Sequence, residues 1–244
     1  MKKSIEKLGM TILLAIVWET IGYGHNLSPA HAQDDYRPPV CDPDVQTGQA
    51  KCNYEGGDNY EGSLVNGVPD GNGIYVYASG DRCEGQFRNG RPNGQGTFIF
   101  ADDSRYEGTF QNGAIVNGRV IYPNSDRYEG EFGIVRNVDT DVISSQPDGQ
   151  GKFIYANGDY YEGEFFAGSP FGQGIFVRAD GSRCQGQFFN QSLDANGTCS
   201  FPNGLRYEGE LRGGVPHGKG TLIYPNGQRE PGFFREGKPF EANE

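Results

Sequence analysis

Between Tyr60 and Tyr224 the chain sets large apolar side chains on alternate positions of short runs and polar ones between them. Tyr207, Gly209 and Leu211 alternate with Glu208 and Glu210, and Thr221 to Tyr224 alternates likewise. A period of two predicts β-strands with one buried face. Between these runs stand Gly214, Gly218 and Gly220, and after the second comes Pro225-Asn226-Gly227. Glycine and asparagine accept backbone conformations that other residues avoid, so both stretches read as turns. The unit is a β-hairpin followed by a tight turn into the next.

That unit recurs. A phrase of the form Tyr-Glu-Gly starts at Tyr60, Cys83, Tyr106, Tyr128, Tyr161, Cys184 and Tyr207, with a degenerate copy at Glu230. Successive starts lie 23 residues apart, except for 22 between Tyr106 and Tyr128 and 33 between Tyr128 and Tyr161. A fixed period of this length marks a repeat array. A lone hairpin is marginal in water, so each copy must bury its apolar face by stacking on its neighbours. The predicted fold is all-β: an elongated, twisted single-sheet array of antiparallel hairpins. Counting each copy from its first residue, the inward positions are 1, 5, 16 and 18. The third-position glycines Gly62, Gly85, Gly108, Gly130, Gly163, Gly186 and Gly209 are expected to leave room for a ring or a close backbone.

The pattern Tyr-x-Gly-x-x-x-x-Gly-x-x-x-Gly-x-Gly resembles the MORN (membrane occupation and recognition nexus) repeat family. The resemblance implies elongated arrays that scaffold proteins or sit near membranes. Departures are local: Cys83 and Cys184 replace the first Tyr, Asn117 stands where a Gly is expected, and Gln191 and Ala195 replace two turn glycines. The copy at Tyr128 carries an insertion, about 134–145, which reads as a protruding loop. Residues 60–229 thus hold seven repeats. Residues 33–59 form an N-terminal cap in which Gly48, Cys52, Tyr54 and Gly57 supply half a repeat, and 230–244 form the opposite cap. Caps of this kind cover sheet edges that would otherwise favour homo-oligomers.

Residues 1–32 differ in composition. Lys2, Lys3 and Lys7 precede an apolar stretch from Leu8 to Trp18, and Ala30-His31-Ala32 offers a cleavage site before Gln33. This reads as a signal peptide and places the protein in the periplasm or outside the cell, or anchored to a membrane if the leader is retained. The eleven residues of that stretch fall short of the ~20 that span a bilayer. A formal net charge of −11 disfavours nucleic acid and anionic lipid as partners.

Export makes disulfides possible. Cys184 and Cys199 sit at inward positions of one hairpin, and Cys41 and Cys52 lie in the cap. Each pair reads either as a disulfide or as two buried thiols, leaving Cys83 unpaired. The glutamates after the first residue, such as Glu61 and Glu84, recur about 10 Å apart, too far to share one ion directly. With Arg82, Arg105, Arg127, Arg183 and Arg206 two residues earlier, they read as a solvated charge ladder. The Gly-x-Gly pairs lack the helix and Lys of a phosphate loop and read as turn glycines. His217 is the single histidine after residue 32 and sits in a turn. No catalytic residue, metal or cofactor is expected. Tyr75, Tyr77, Phe98, Phe100, Tyr155, Phe176 and Tyr224 line second strands and read either as a binding surface or as the array's own core. The function so predicted is a non-catalytic protein-binding scaffold of the cell envelope. The alternatives are an envelope lipid- or glycan-binding module and, remotely, a carboxylate-based hydrolase.

Overall fold

Asn-Gly between two alternating runs reverses a chain in two residues, because positive φ at both positions gives a turn whose twist matches the flanking strands. The protein, seen in a computed structural model that describes residues 38–136, 143–190 and 192–240, uses this device repeatedly. Asn66 and Gly67 have φ of 51° and 76°, and Asn89-Gly90 and Asn112-Gly113 repeat the pattern. The described residues form one antiparallel sheet of eighteen strands.

Each strand pairs with its neighbours in the chain. The N-terminal part comprises β1 (Val40–Asp42), β2 (Gly48–Asn53), β3 (Asn59–Val65), β4 (Val68–Val76), β5 (Arg82–Arg88), β6 (Arg91–Ile99), β7 (Arg105–Gln111), β8 (Ala114–Ile121) and β9 (Arg127–Arg136). Then follow β10 (Ile143–Ile154), β11 (Tyr160–Phe166), β12 (Ser169–Val177), β13 (Arg183–Phe188), β14 (Ala195–Ser200), β15 (Arg206–Arg212), β16 (Val215–Ile223), β17 (Arg229–Arg235) and β18 (Lys238–Phe240). β2 is the half repeat seen in sequence, and β1 pairs outside it.

The stretch assigned above to one long turn is divided in the structure. The hairpin reverses at Asn66-Gly67, and Gly71 and Gly73 lie within β4. Gly71 sits in a bulge at φ 103°, where a Cβ would come within 2.9 Å of Ser63. Gly73 has another duty: a Cβ there would lie 2.3 Å from the Tyr60 hydroxyl. The tyrosine ring lies flat over the facing pair Gly62 and Gly73, and its hydroxyl donates to the Ser63 carbonyl at 2.8 Å. Tyr128, Tyr161 and Tyr207 repeat this over Gly130/Gly151, Gly163/Gly174 and Gly209/Gly220. Every strand from β3 to β17 contributes one glycine to this register, giving a column of facing glycines from Gly62 to Gly232.

Departures in sequence have local consequences. The copy at Tyr106 has lost one residue from its bulge, so Gly118 takes the column position and Asn117 pairs with Thr109. This accounts for the spacing of 22. With Ala195 in place of glycine, β13 and β14 pair without a bulge. The insertion does not leave the sheet at once as a loop. Gly133 to Arg136 pair with Gln146 to Ile143, so the β9–β10 hairpin is prolonged beyond its neighbours before the tip, which lies outside the described residues. Backbone pairing continues because each added residue finds a partner across the hairpin.

Both rows of turns are tied laterally. Gly90 donates its amide to the Pro69 carbonyl and Gly113 to Pro92. On the opposite row the Asp58, Asp81, Asp126 and Asp159 carboxylates accept from the amides of Ala78, Ala101, Ala156 and Ala179.

A candidate binding surface

One face of the sheet is consumed by its own packing. Tyr60, Tyr128, Tyr161, Tyr207 and Phe188 are fully buried, and neighbouring rings meet edge to face, as in Tyr161 with Phe188 at 5.0 Å between centroids. Such pairs add about 0.5–1.5 kcal/mol beyond the area they bury. Burial pushes the Tyr60 and Tyr207 phenols up to about 12. Of the aromatic residues singled out in sequence, Tyr75, Tyr77 and Phe176 are buried. Phe98, Phe100, Tyr155 and Tyr224 are half-buried. The Tyr75 hydroxyl is held by Asp58 at 2.9 Å and that of Tyr224 by Glu230 at 2.7 Å.

Both cysteine pairs are joined. Disulfides link Cys41 to Cys52 across β1 and β2, and Cys184 to Cys199 across β13 and β14. Cys83 is a buried free thiol, pushed up to about 12 by burial and then by Glu84.

The opposite face is polar. The Arg–Glu ladder forms in part: Arg82 pairs with Glu84 at 2.9 Å and Arg105 with Glu107 along their strands. Other glutamates turn across the sheet, Glu61 to Lys51 at 3.0 Å, Glu162 to Lys152 at 3.1 Å and Glu208 to Arg229 at 2.6 Å. Hydrogen bonds from Arg119, and then from Arg105, hold the Glu107 carboxyl below its usual range. Exposed pairs of this kind contribute about 0–1 kcal/mol each.

Along the line of the column this face is bare backbone between rows of outward side chains, because column positions point to the opposite face in every copy; an open trough of about 1070 Å³ runs there across β9 to β14. Gly130, Gly151, Gly163, Gly174, Gly186 and Gly197 form its floor. Glu129, Lys152, Glu162, Ile175, Gln185 and Thr198 line one side, and Gln150 and Gln173 the other. The floor's backbone groups are used in pairing neighbouring strands, so recognition falls to these amides, carboxylates and the Lys152 ammonium. Beyond the glutamine row, next to the hairpin turns, Phe166, Phe171 and Phe189 are exposed by 63%, 47% and 47%.

Sequence reasoning did not single out the trough or these phenylalanines. The signal was present: positions 6 and 11 are polar or charged in most other copies, as at Arg88, Arg212 and Asp70. His217 contributes its carbonyl to the Tyr207 hydroxyl at 3.1 Å. Among the described residues no cluster of His, Cys, Asp and Glu is arranged to hold a metal ion. No helix among them is long and apolar enough to cross a membrane.

An open single sheet of stacked hairpins, with one face spent on packing and the other left free, defines a repeat protein of the kind that binds partners or membranes. The MORN repeat model matches residues 60–82, 83–105, 144–160, 161–183, 184–206 and 207–229, more than half of the chain, and the protein belongs to the MORN repeat family. The match passes over 106–143, where the shortened bulge and the insertion depart from the repeat although the hairpins persist. No curated protein matches the chain in sequence. Among solved structures, it is similar to the TCP10 domain of Danio rerio CPAP in complex with a peptide of STIL, at 14% identity and a TM-score of 0.44 over 79% of this chain and 80% of that one. The TCP domain of Drosophila melanogaster SAS-4, in complex with a proline-rich motif of Ana2, shares 15% identity at a TM-score of 0.39, over 82% and 96%. Virginiamycin B lyase from Staphylococcus aureus shares 10% identity at a TM-score of 0.17, over 84% and 88%. Likenesses of this order do not extend to function.

Proposed function

We propose that this MORN-repeat protein is a non-catalytic scaffold that binds a protein partner in the cell envelope. The observation that carries this reading is the trough over the glycine column, on a face that the fold does not need for its core. It runs across six strands and presents amides and carboxylates at the spacing of neighbouring strands, as recognition of an extended partner requires. The two disulfides fit an oxidising compartment. The leader at residues 1–32 is the route there, and N-terminal sequencing of the mature protein should begin at Gln33.

A photo-crosslinking side chain placed at Gln173 in the full-length protein, expressed in its native cell, tests the binding role. One protein adduct resistant to detergent and moderate salt is expected. Adducts only with abundant bystanders, or with glycan or lipid alone, would remove the protein-scaffold reading.

A further inference from the structure

Phe166, Phe171 and Phe189 lie on the polar face of two adjacent hairpins, at positions whose counterparts elsewhere include Arg88, Gln111, Arg212 and Asn93. The fold therefore does not require large apolar side chains there. The rings of Phe166 and Phe171 are 5.9 Å apart, and all three face solvent. Contiguous exposed aromatic surface of this kind marks an interaction site. Two carboxylates border it. Asp148 accepts from the Ala167 amide at 3.2 Å beside Phe166, and Glu164 stands on the same face of β11, two residues from Phe166. Neither forms an ion pair with a described lysine or arginine.

We propose that this phenylalanine shelf docks a polypeptide segment that presents aliphatic and basic side chains on one face, the aliphatic side chains on Phe166, Phe171 and Phe189 and the basic ones at Asp148 and Glu164. The proposal rests on the protein-scaffold reading and specifies its partner. Charge complementarity selects this occupant. A second copy would bring the same carboxylates against their own kind on a chain whose formal net charge is −11.

The test uses the full-length protein and a fluorescent peptide repeating Leu-Ser-Arg-Ser, which puts Leu and Arg on one face of an extended chain, compared with one carrying Glu for Arg and one carrying Ser for Leu. The Arg–Leu peptide should bind alone of the three, and more weakly as salt is raised. Joint Phe166→Ser and Phe189→Ser substitution should weaken it about tenfold or more, with Phe171→Ser alone as a milder case. Glu164→Gln should weaken it about threefold. Phe240→Ser, far along the array, should leave it unchanged. Unchanged thermal unfolding verifies that the variants fold. Equal affinity for wild type and shelf variants, no binding by wild type, or equal binding of the Glu–Leu peptide would each overturn the proposal. So would a dimer abolished by the Phe→Ser pair. If the Gln173 adduct forms while the peptide experiments fail, only the shelf assignment falls; if no protein adduct forms, the scaffold reading falls as well.

Discussion

Cys83 and Cys184 hold the same place in two hairpins, the place that Tyr60, Tyr128, Tyr161 and Tyr207 hold in others, and each leaves a glycine pair without its tyrosine ring. At Cys83 the neighbours cover the gap. Cys83 faces Phe98 across the ladder, and a Cβ on Gly96 would lie 3.6 Å from the Phe110 ring. At Cys184 the gap is bridged covalently to Cys199, and a Cβ on Gly186 or Gly197 would meet only backbone. The inward position therefore needs filling, but not by one particular side chain. Ring, borrowed ring and disulfide are three ways of holding the first strand of a hairpin against its second.

The sharpest way to break this comparison is to make a tyrosine copy resemble a cysteine copy without its compensation. Tyr161→Cys removes a fully buried ring and its 3.0 Å bond to the Glu164 carbonyl, with no partner cysteine opposite. It should cost about 3–5 kcal/mol in denaturant unfolding. A loss below about 1 kcal/mol would show that the ring is dispensable. Next in size is Cys184→Ala with Cys199→Ala, which opens a disulfide spanning 15 residues and should cost about 3 kcal/mol. Cys83→Ala should cost distinctly less. Third, Gly73→Ala drives a methyl group into the Tyr60 ring and should cost about 2 kcal/mol. Gly96→Ala, whose nearest neighbour would be the Glu84 carbonyl at 3.1 Å, should cost about 1 kcal/mol or less. Equal costs would mean that the column is set by strand pairing rather than by ring cover.

The last effect concerns protons and is confined to alkaline pH. The folded Cys83 thiol is pushed from 9.0 up to about 12, so above pH 9 the unfolded chain gives up a proton that the folded one keeps. Ionisation then favours unfolding, and stability should fall by about 1.4 kcal/mol per pH unit from this residue as pH rises toward 12. Cys83→Ala should remove that slope, read as the difference between wild-type and variant stability between pH 9 and 11. Identical slopes would mean that the thiol is solvated in the native protein.

The period, the inward positions and the hairpin unit were legible because they rest on alternation, which burial enforces in every copy. The duties of the glycines were less so. Gly71 and Gly73 look alike in sequence, yet one serves a positive φ in a bulge and the other makes room for the Tyr60 ring, a distinction set by the partner strand. The Asn-Gly dipeptides at 66–67, 89–90 and 112–113 carried the turn signal that would have placed the reversal correctly. Phe171 escaped notice because its exposure depends on strand parity carried across a bulge. The trough depends on how neighbouring strands line up side by side, which no single residue announces.

The glycine column is also a crease. Along it the sheet has no Cβ atoms to resist bending, and the tyrosines act as latches, each ring lying across the line with its hydroxyl fastened to a carbonyl on the far side. Tyr60, Tyr128, Tyr161 and Tyr207 close four such latches. No ring lies over Gly108 and Gly118, because Tyr106 packs against Phe100 instead. Flexure about the crease is thus least restrained in the third hairpin, next to the prolonged one and outside the trough.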